Sequence, residues 1–411
     1  MKMMGVVAAV VATSTLTALG CGARTEIAAS ASSCDDQACP AAPVGMHNTC
    51  SDVDGGACLA VCDDGLSPCD GGCCSTVQLS LSSYLSCALK GDGSVWCWKV
   101  IREGQTGTHT NWVRTDPELV DFGASATKVN VSGPICVERS DGIFCRPITS
   151  ESNFDSDIGD LLAWKPRDVH YTLVLTEIVT AGLSDDGQLD WSVYWPEKDD
   201  FAHSQGPWST AKFGVGYTCG LDANRSVRCF GLDQSVGNSL YSGILGGPLF
   251  AAPDDPVEIG GFSAMPIALS GGGNPFACVL TALGGVQCWG SNENFELGTG
   301  KWLPELPSST KPVDVLSLGP GAHVIRISSG GDKSCAIKDD RSVWCWGDFT
   351  LCPHDHDPFP VPQFGKVSSV QEDLEHVCAV LLGGGVACFD WGEDNQMSCL
   401  PDIEPYLVPG L

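Results

Sequence analysis

A short hairpin bracketed by two cysteines returns again and again along this chain. It reads Cys87-ALKGDGSVW-Cys97, Cys219-GLDANRSVR-Cys229, Cys278-VLTALGGVQ-Cys288, Cys335-AIKDDRSVW-Cys345 and Cys378-AVLLGGGVA-Cys388, with nine residues between the cysteines each time. A sixth copy, Cys136-VERSDGIF-Cys145, is one residue shorter. A unit repeated at this scale restricts the chain to architectures in which each copy buries its faces against the next.

With Cys87 opposite Cys97, Ala88 faces Trp96 and Leu89 faces Val95, leaving Gly91-Asp92-Gly93 as the connection. A three-residue hairpin loop needs positive φ at its end, which Gly93 takes without steric cost. Side chains alternate along a strand, so Cys87, Leu89, Val95 and Cys97 share one face, and Ala88 and Trp96 the other. Both faces are apolar, so the hairpin is expected to lie between neighbours rather than on a surface. Facing residues of an antiparallel pair come within disulfide reach. The expected stitches are Cys87–Cys97, Cys136–Cys145, Cys219–Cys229, Cys278–Cys288, Cys335–Cys345 and Cys378–Cys388. Each closes a small loop and contributes roughly 2–3 kcal/mol through the unfolded chain. Zinc is the rival for regular cysteine pairs, but its pairs usually stand about two to four residues apart.

Successive first cysteines lie 49, 83, 59, 57 and 43 residues apart. The long interval leaves room for a worn copy. Residues 173–195, LVLTEIVTAGLSDDGQLDWSVYW, keep the turn Asp186-Gly187 and Trp191 but have no cysteine. Seven units of about 48 residues then fill 76–411, and propeller blades use about 40–50 residues in four strands. Stretches such as HVIRISSGG (323–331) and AMPIALSGGG (264–273) alternate like strands, and no helical period is sustained. The fold expected is all-β: a seven-bladed β-propeller over 76–411 preceded by a small disulfide-rich N-terminal segment, with an open solenoid as the alternative.

The stretch VQCWGSNENFELGTG (286–300) resembles the signature of the regulator-of-chromosome-condensation repeat family, a Trp-Gly-x-Asn step followed by Leu-Gly. The approaches IRISSGGDKSCAIKDDRSVWCWG (325–347) and IALSGGGNPFACVLTALGGVQCWG (267–290) are similar to the rest of that family's unit. The resemblance covers 76–411, is strongest in the fifth and sixth units, and implies a seven-bladed propeller. Ordinary members lack the paired cysteines, which resemble those of secreted bacterial versions, myxobacterial lipoproteins especially.

Residues 1–20 carry Lys2, an apolar run from Val6 to Leu19 and then Gly20, the form of a signal peptide too short for a stable membrane span. Ala18-Leu19-Gly20 suits ordinary signal peptidase, whereas Leu19-Gly20 before Cys21 resembles a bacterial lipobox with Ala18 where leucine is usual. Lipidation of Cys21 would leave 22 of the 23 cysteines, an even number suited to full oxidation, so Cys21 is expected to carry the lipid. Residues 21–33 read as a flexible tether. Residues 34–75 hold eight cysteines, Cys34 to Cys74, and almost no large apolar residue, which implies a mini-domain held by disulfides. DVDGG (52–56) has the flavour of a calcium loop but lacks the downstream bidentate glutamate, so a solvated turn is the better reading.

Fifty acidic against 22 basic residues give a net charge of −28. Phosphate backbones would be repelled, which excludes nucleic acid as a partner. No Gly-x-Ser-x-Gly elbow, phosphate-binding glycine loop or His-Glu-x-x-His occurs. SDDGQLDW (184–191) approaches the Asp-box of sialidase-type propellers but lacks the residue between Asp and Gly, and reads better as the worn hairpin. Within Cys352-Pro-His354-Asp355-His356-Asp357, an extended backbone would align His354 and His356 for zinc or copper. The competing reading is a polar loop whose Cys352 pairs with Cys399. The tryptophans at 96, 98, 289, 344 and 346 recur with the repeat and are expected to pack between blades.

No cofactor and no metal is expected. The function implied is that of a non-enzymatic scaffold: a cell-envelope lipoprotein, on the bacterial outer membrane or extracellular. Its monomeric propeller would bind another protein or a surface glycan and meet the membrane only through its lipid. Loops such as 146–165 and 291–314 would carry the binding. The alternatives are a secreted polysaccharide hydrolase or lyase, which needs carboxylates converging in the funnel, and a secreted protein inhibitor on the same propeller.

Overall fold

Period-two apolar patterning and a turn residue able to take positive φ make each cysteine-bracketed segment a hairpin; what remains is how the hairpins meet. In a computed structural model the chain divides into two compact units, Met1–Cys74 and Ser75–Leu411. The structure describes five short strands before residue 75, and after it residues 76–82, 85–106, 109–132, 134–148, 160–164, 170–174, 180–192, 202–204, 206, 208–214, 216–232, 250–251, 255–301, 305–349, 357–373, 376–390 and 404–411. In the first unit Thr25–Ile27, Ala57–Cys62 and Met46–Ser51 form an antiparallel sheet in that order, with Cys50 in register with Cys58. Ser67–Cys69 pairs with Gly72–Cys74.

The second unit is a ring of seven antiparallel sheets. Their innermost strands are Thr76–Ser82, Lys128–Val131, Tyr171–Val174, Trp208–Gly214, Pro266–Gly271, Val324–Gly330 and Val367–Glu372, each followed in sequence by its second, third and outermost strand. In the first blade Cys87 stands opposite Cys97, Ala88 opposite Trp96 and Leu89 opposite Val95. The Gly93 N–H donates to the Lys90 carbonyl and the Lys90 N–H to the Ser94 carbonyl, both at 2.9 Å, with Gly93 at φ +84°. The same pair of bonds closes the third to seventh hairpins at Gly187, Arg225, Gly284, Arg341 and Gly384. The second hairpin turns in two residues, so Arg139 faces Gly142 and Cys136 still faces Cys145.

The third blade puts Ala181 opposite Trp191 where the others have cysteines. Trp191 lies 5.6 Å from the rings of both Phe213 and Phe230 of the fourth blade. An aromatic wedge therefore stands in place of the disulfide.

The ring closes. Leu79, Leu81, Ala88 and Trp98 of the first blade pack with Cys378, Val380, Val386 and Val408 in and after the seventh. Ser86 Oγ and His376 Nε2 share a hydrogen bond of 2.9 Å, and Lys90 Nζ donates to the Gly410 carbonyl at 2.9 Å. Similar apolar layers lie between the first and second, fifth and sixth, and sixth and seventh blades. The core is thus divided among the blade interfaces, and an open solenoid is ruled out. Trp98 and Trp346 are fully buried in these layers, and Trp289 in the apolar cluster shared by the third, fourth and fifth blades, whereas Trp96 and Trp344 are half-buried beneath Lys90 and Lys338, 4.8 and 4.4 Å from the ring centres.

Neighbouring blades are also tied through the hairpin turns. The carbonyl of the positive-φ residue accepts an N–H from the next blade: Ala126 to Gly93 at 2.9 Å, Trp208 to Gly187 at 3.3 Å, Val324 to Gly284 at 2.9 Å and Val367 to Arg341 at 3.2 Å. Pro266 has no N–H to give. There the Arg225 guanidinium donates to the Ile267 carbonyl at 3.2 Å instead. Five innermost strands carry a β-bulge near their start, at Val77, Ser209, Ile267, Ile325 and Ser368.

Candidate functional site

The twelve hairpin cysteines are paired as Cys87–Cys97, Cys136–Cys145, Cys219–Cys229, Cys278–Cys288, Cys335–Cys345 and Cys378–Cys388. Cys21, Cys352, Cys399, His354, Asp355, His356 and the DVDGG run lie outside the described residues. Among the described residues no group of three metal-capable side chains converges.

Three polar constellations do form. At the seam, the Asp373 carboxylate accepts the His376 backbone N–H at 2.8 Å and lies 3.4 Å from Nδ1, while Nε2 meets Ser86 Oγ. This is the order nucleophile, base, orienting acid. Yet Ser86 and His376 have no exposed surface, so no carbonyl can reach the hydroxyl and the trio acts as a buried clasp. In the third blade the fully buried Asp190 accepts a hydrogen bond from the Tyr171 hydroxyl at 2.5 Å and a close one involving His203 Nδ1. Its backbone position, opposite Gly182, is that of Trp96 in the first blade.

The third constellation lies in the 291–314 loop, where Asn292, Glu296 and Leu297 turn inward while Glu293, Gly300, Lys301 and Glu305 stay exposed. Asn292 Nδ2 donates to the carbonyls of Lys301 and Leu306 at 2.8 Å, and its Oδ1 accepts the Leu297 N–H at 3.1 Å. Beneath it Glu296 has no exposed surface; its carboxyl accepts from Asn294 N–H at 2.8 Å and Asn274 Nδ2 at 3.3 Å. Burial pushes its pKa up to about 7, and the charge of Asp332 adds to the rise. Asp332 is raised as well, first by burial, with Lys333 opposing and Asp348 reinforcing the shift. A carboxyl poised near neutrality suits a general acid, but this one is sealed from any substrate.

Along the ring axis Ser80, Asn130, Lys212, Ser328, Ser329 and Gln371 help to line an opening of about 30 Å³. That is room for a water or two, against the roughly 300 Å³ or more of a small-molecule pocket. The described lining holds no carboxylate.

The end of the ring bearing the hairpin turns is different in kind. From Ile259 to Asn292 the chain has no charged residue. Met265, Ile267 and Leu283 of the fifth blade are 55, 40 and 58% exposed, Ile325 of the sixth 38%, Leu382 of the seventh 55% and Val77 of the first 54%. These blades are consecutive once the ring is closed. The backbone beneath is knitted: Ala282 N–H to the Met265 carbonyl, Gly321 to Leu283 and Leu382 to Lys366, at 2.9–3.0 Å. Lys366 Nζ lies 3.6 Å from Asp340, and His323 Nδ1 lies 3.5 Å from Asp339. Sequence reading passed over this arc, although apolar residues at turn tips and an uncharged run in an acidic chain were its signal.

No family model matches the chain. It is 35% identical over 107 residues to alsin of Rattus norvegicus, covering 25% of this chain and 6% of that protein. To the Ultraviolet-B receptor UVR8 of Arabidopsis thaliana it is 24% identical over 204 residues, 47% of this chain and 45% of the receptor. To RUG3, a mitochondrial RCC1 domain-containing protein of the same plant, it is 34% identical over 100 residues, 22% of this chain and 21% of that one. The chain thus spans less than half the length of these relatives. Among solved structures, human WBSCR16 superposes with a TM-score of 0.54 at 15% identity over 71% of this chain and 84% of that one. Prp20p of Saccharomyces cerevisiae, described with its binding properties to Gsp1p and histones, gives 0.56 at 13% over 72% and 80%. At such identities the likeness is one of fold.

Proposed function

This chain is an RCC1-like seven-bladed β-propeller, and from that premise we propose that it is a binding scaffold for another protein rather than an enzyme. RCC1-like propellers commonly mediate protein binding. The observation that carries the reading is the exposed aliphatic arc across the hairpin end. An apolar patch on a backbone held by hydrogen bonds is the form of a preorganised docking surface. Its side chains are aliphatic, whereas a sugar ring stacks on aromatic faces, so a protein partner is favoured over a surface glycan. The narrow axial opening and the sealed Ser86–His376–Asp373 clasp weigh against the hydrolase or lyase.

Export to the cell envelope, with a lipid on Cys21, is part of the same proposal. It is supported by the apolar run ahead of Cys21 and by six disulfides that suit an oxidising compartment. Mass analysis of the mature N-terminus tests it: an unlipidated residue other than Cys21 defeats the anchor. The scaffold is tested by immobilising the oxidised chain in envelope extract beside Leu283→Asp/Leu382→Asp. Protein retained by the parent and lost from the variant is the expected result. Retention indifferent to the variant, or turnover of a polysaccharide by the purified chain, overturns it.

A further inference from the structure

The seven innermost strands invert the charge balance of the molecule. They carry Lys128, Lys212 and Arg326 against one carboxylate, Glu372, in a chain with 22 basic and 50 acidic residues. We propose that the opening on the ring axis binds a small inorganic anion, a halide such as chloride. Lys212 and the hydroxyl and amide donors of the surrounding blades hold it.

The nearest charges set the sign of the ligand. Among the described residues the lining contains one cation, Lys212, and no carboxylate. Arg326 stands two residues before Ser328 on the sixth innermost strand, so their side chains share a face. It makes no ion pair among the described residues. Glu372 is buried and is not part of the lining. Glu138, behind Lys128, is committed to that lysine at 3.1 Å and to the Leu173 N–H at 2.7 Å. The net charge of −28 is therefore carried away from the axis, and salt screens such exposed charges over about 8 Å.

The donors are in place as well. Ser328 and Gln371 both line the opening and make no side-chain hydrogen bond among the described residues. Ser80 Oγ accepts the Val131 N–H at 2.9 Å, which leaves its own O–H to donate. A hydroxyl or an amide can turn a hydrogen toward the axis, and an ammonium can offer nothing else.

Volume sets the class. About 30 Å³ is two water-sized positions at roughly 10–15 Å³ each. A bare halide fills one and keeps a water beside it, whereas a phosphate or sulfate with four oxygens does not fit. The first, second and fourth to seventh blades all contribute to the lining. An ion there bridges blades that are not neighbours, so its binding stabilises the closed ring.

Two measurements on the oxidised chain test this at a constant ionic strength of about 0.2 M, with sodium gluconate replaced stepwise by sodium chloride. The expected results are a melting midpoint that rises with chloride and a broadened chloride NMR resonance that bromide narrows by competition. Lys212→Met should raise the chloride concentration at half-effect at least about tenfold, and Ser328→Ala about threefold. Lys311→Met removes an exposed lysine from an outermost strand and should change neither reading. No chloride response in the parent, an undiminished response in Lys212→Met, or an equal loss in Lys311→Met overturns the proposal. Should Lys212→Met fail to fold, Ser328→Ala carries the test, and an unaltered response there overturns it likewise. In bromide-soaked crystals an anomalous peak on the axis beside Ser328 and Gln371 is expected, and bromide found only elsewhere overturns the site.

Discussion

Arg225 and Arg341 take φ values of +67° and +70° where the sister hairpins use glycine. A side chain in the left-handed region costs roughly 1–2 kcal/mol. Arg341 is held there because its N–H and carbonyl are both committed, to Lys338 within the turn and to Val367 of the next blade. Arg341→Gly should therefore stabilise the oxidised chain by about 0.5–1 kcal/mol, the released strain less the added freedom of glycine in the unfolded state. Arg225→Gly should gain less, since it also deletes the bond to Ile267. Chemical denaturation of both variants checks the order, and equal gains would contradict it. Glu296 makes the second case. Below its ordinary 4.5 the carboxyl is neutral whether folded or not, so its burial carries no ionic penalty. As pH rises from there to about 7 the unfolded chain ionises and the folded chain does not, so stability falls, then levels off. Glu296→Gln, with a flip of the Asn274 amide to match, should abolish that slope. At pH 8 it should gain at most about 3 kcal/mol. Unfolding free energies from pH 4 to 8 read this directly; parallel curves for parent and variant would refute it.

At the scale of the element, two devices fasten the second and third strands of a blade. Six blades use a disulfide, and the third uses the Ala181–Trp191 pair with Trp191 wedged against Phe213 and Phe230. The paired change Cys335→Ala/Cys345→Ala should cost roughly 3 kcal/mol by freeing a short loop in the unfolded state. Trp191→Ala should cost about 3–5 kcal/mol by leaving a cavity, although no covalent bond is lost. The distinguishing measurement is denaturation with and without reductant: the cost at Trp191 should survive reduction and the cost at Cys335 should vanish. The hairpin register was legible because alternation and a facing cysteine pair leave a single solution. Aligning the turn at Ser184–Gln188 with Lys90–Ser94 would also have exposed Ala181 and Trp191 as the substitutes. The bulges at Val77, Ile267 and Ile325 left no comparable trace, since one extra residue in an apolar strand changes no pattern. Nor did the length of the 291–314 loop reveal that a single asparagine amide ties Leu297, Lys301 and Leu306 together within it.

Across the whole molecule, counting repeats was enough to foresee a ring but not the residues that close it. Ser86 and His376 lie 290 positions apart, and nothing local to either marks it as the other's partner. The aliphatic arc was hidden for the same reason, its members being neighbours only after closure. The clasp also separates the two ideas of what this chain does. Ser86→Ala leaves His376 Nε2 buried without its partner, a loss of about 1–3 kcal/mol. Because the first and seventh blades share one apolar layer and, among the described strands, exchange none, opening there unzips the ring. The loss should therefore appear as an earlier cooperative melt, with faster amide exchange in both terminal blades together. A catalytic Ser86 would behave otherwise, its replacement abolishing hydrolysis of an ester or glycan while the melt moved little. Measuring both on the same preparation decides between clasp and nucleophile: hydrolysis by the parent that disappears in Ser86→Ala would defeat the scaffold, and a shifted melt with no activity in either protein would leave the serine as the rivet of the seam.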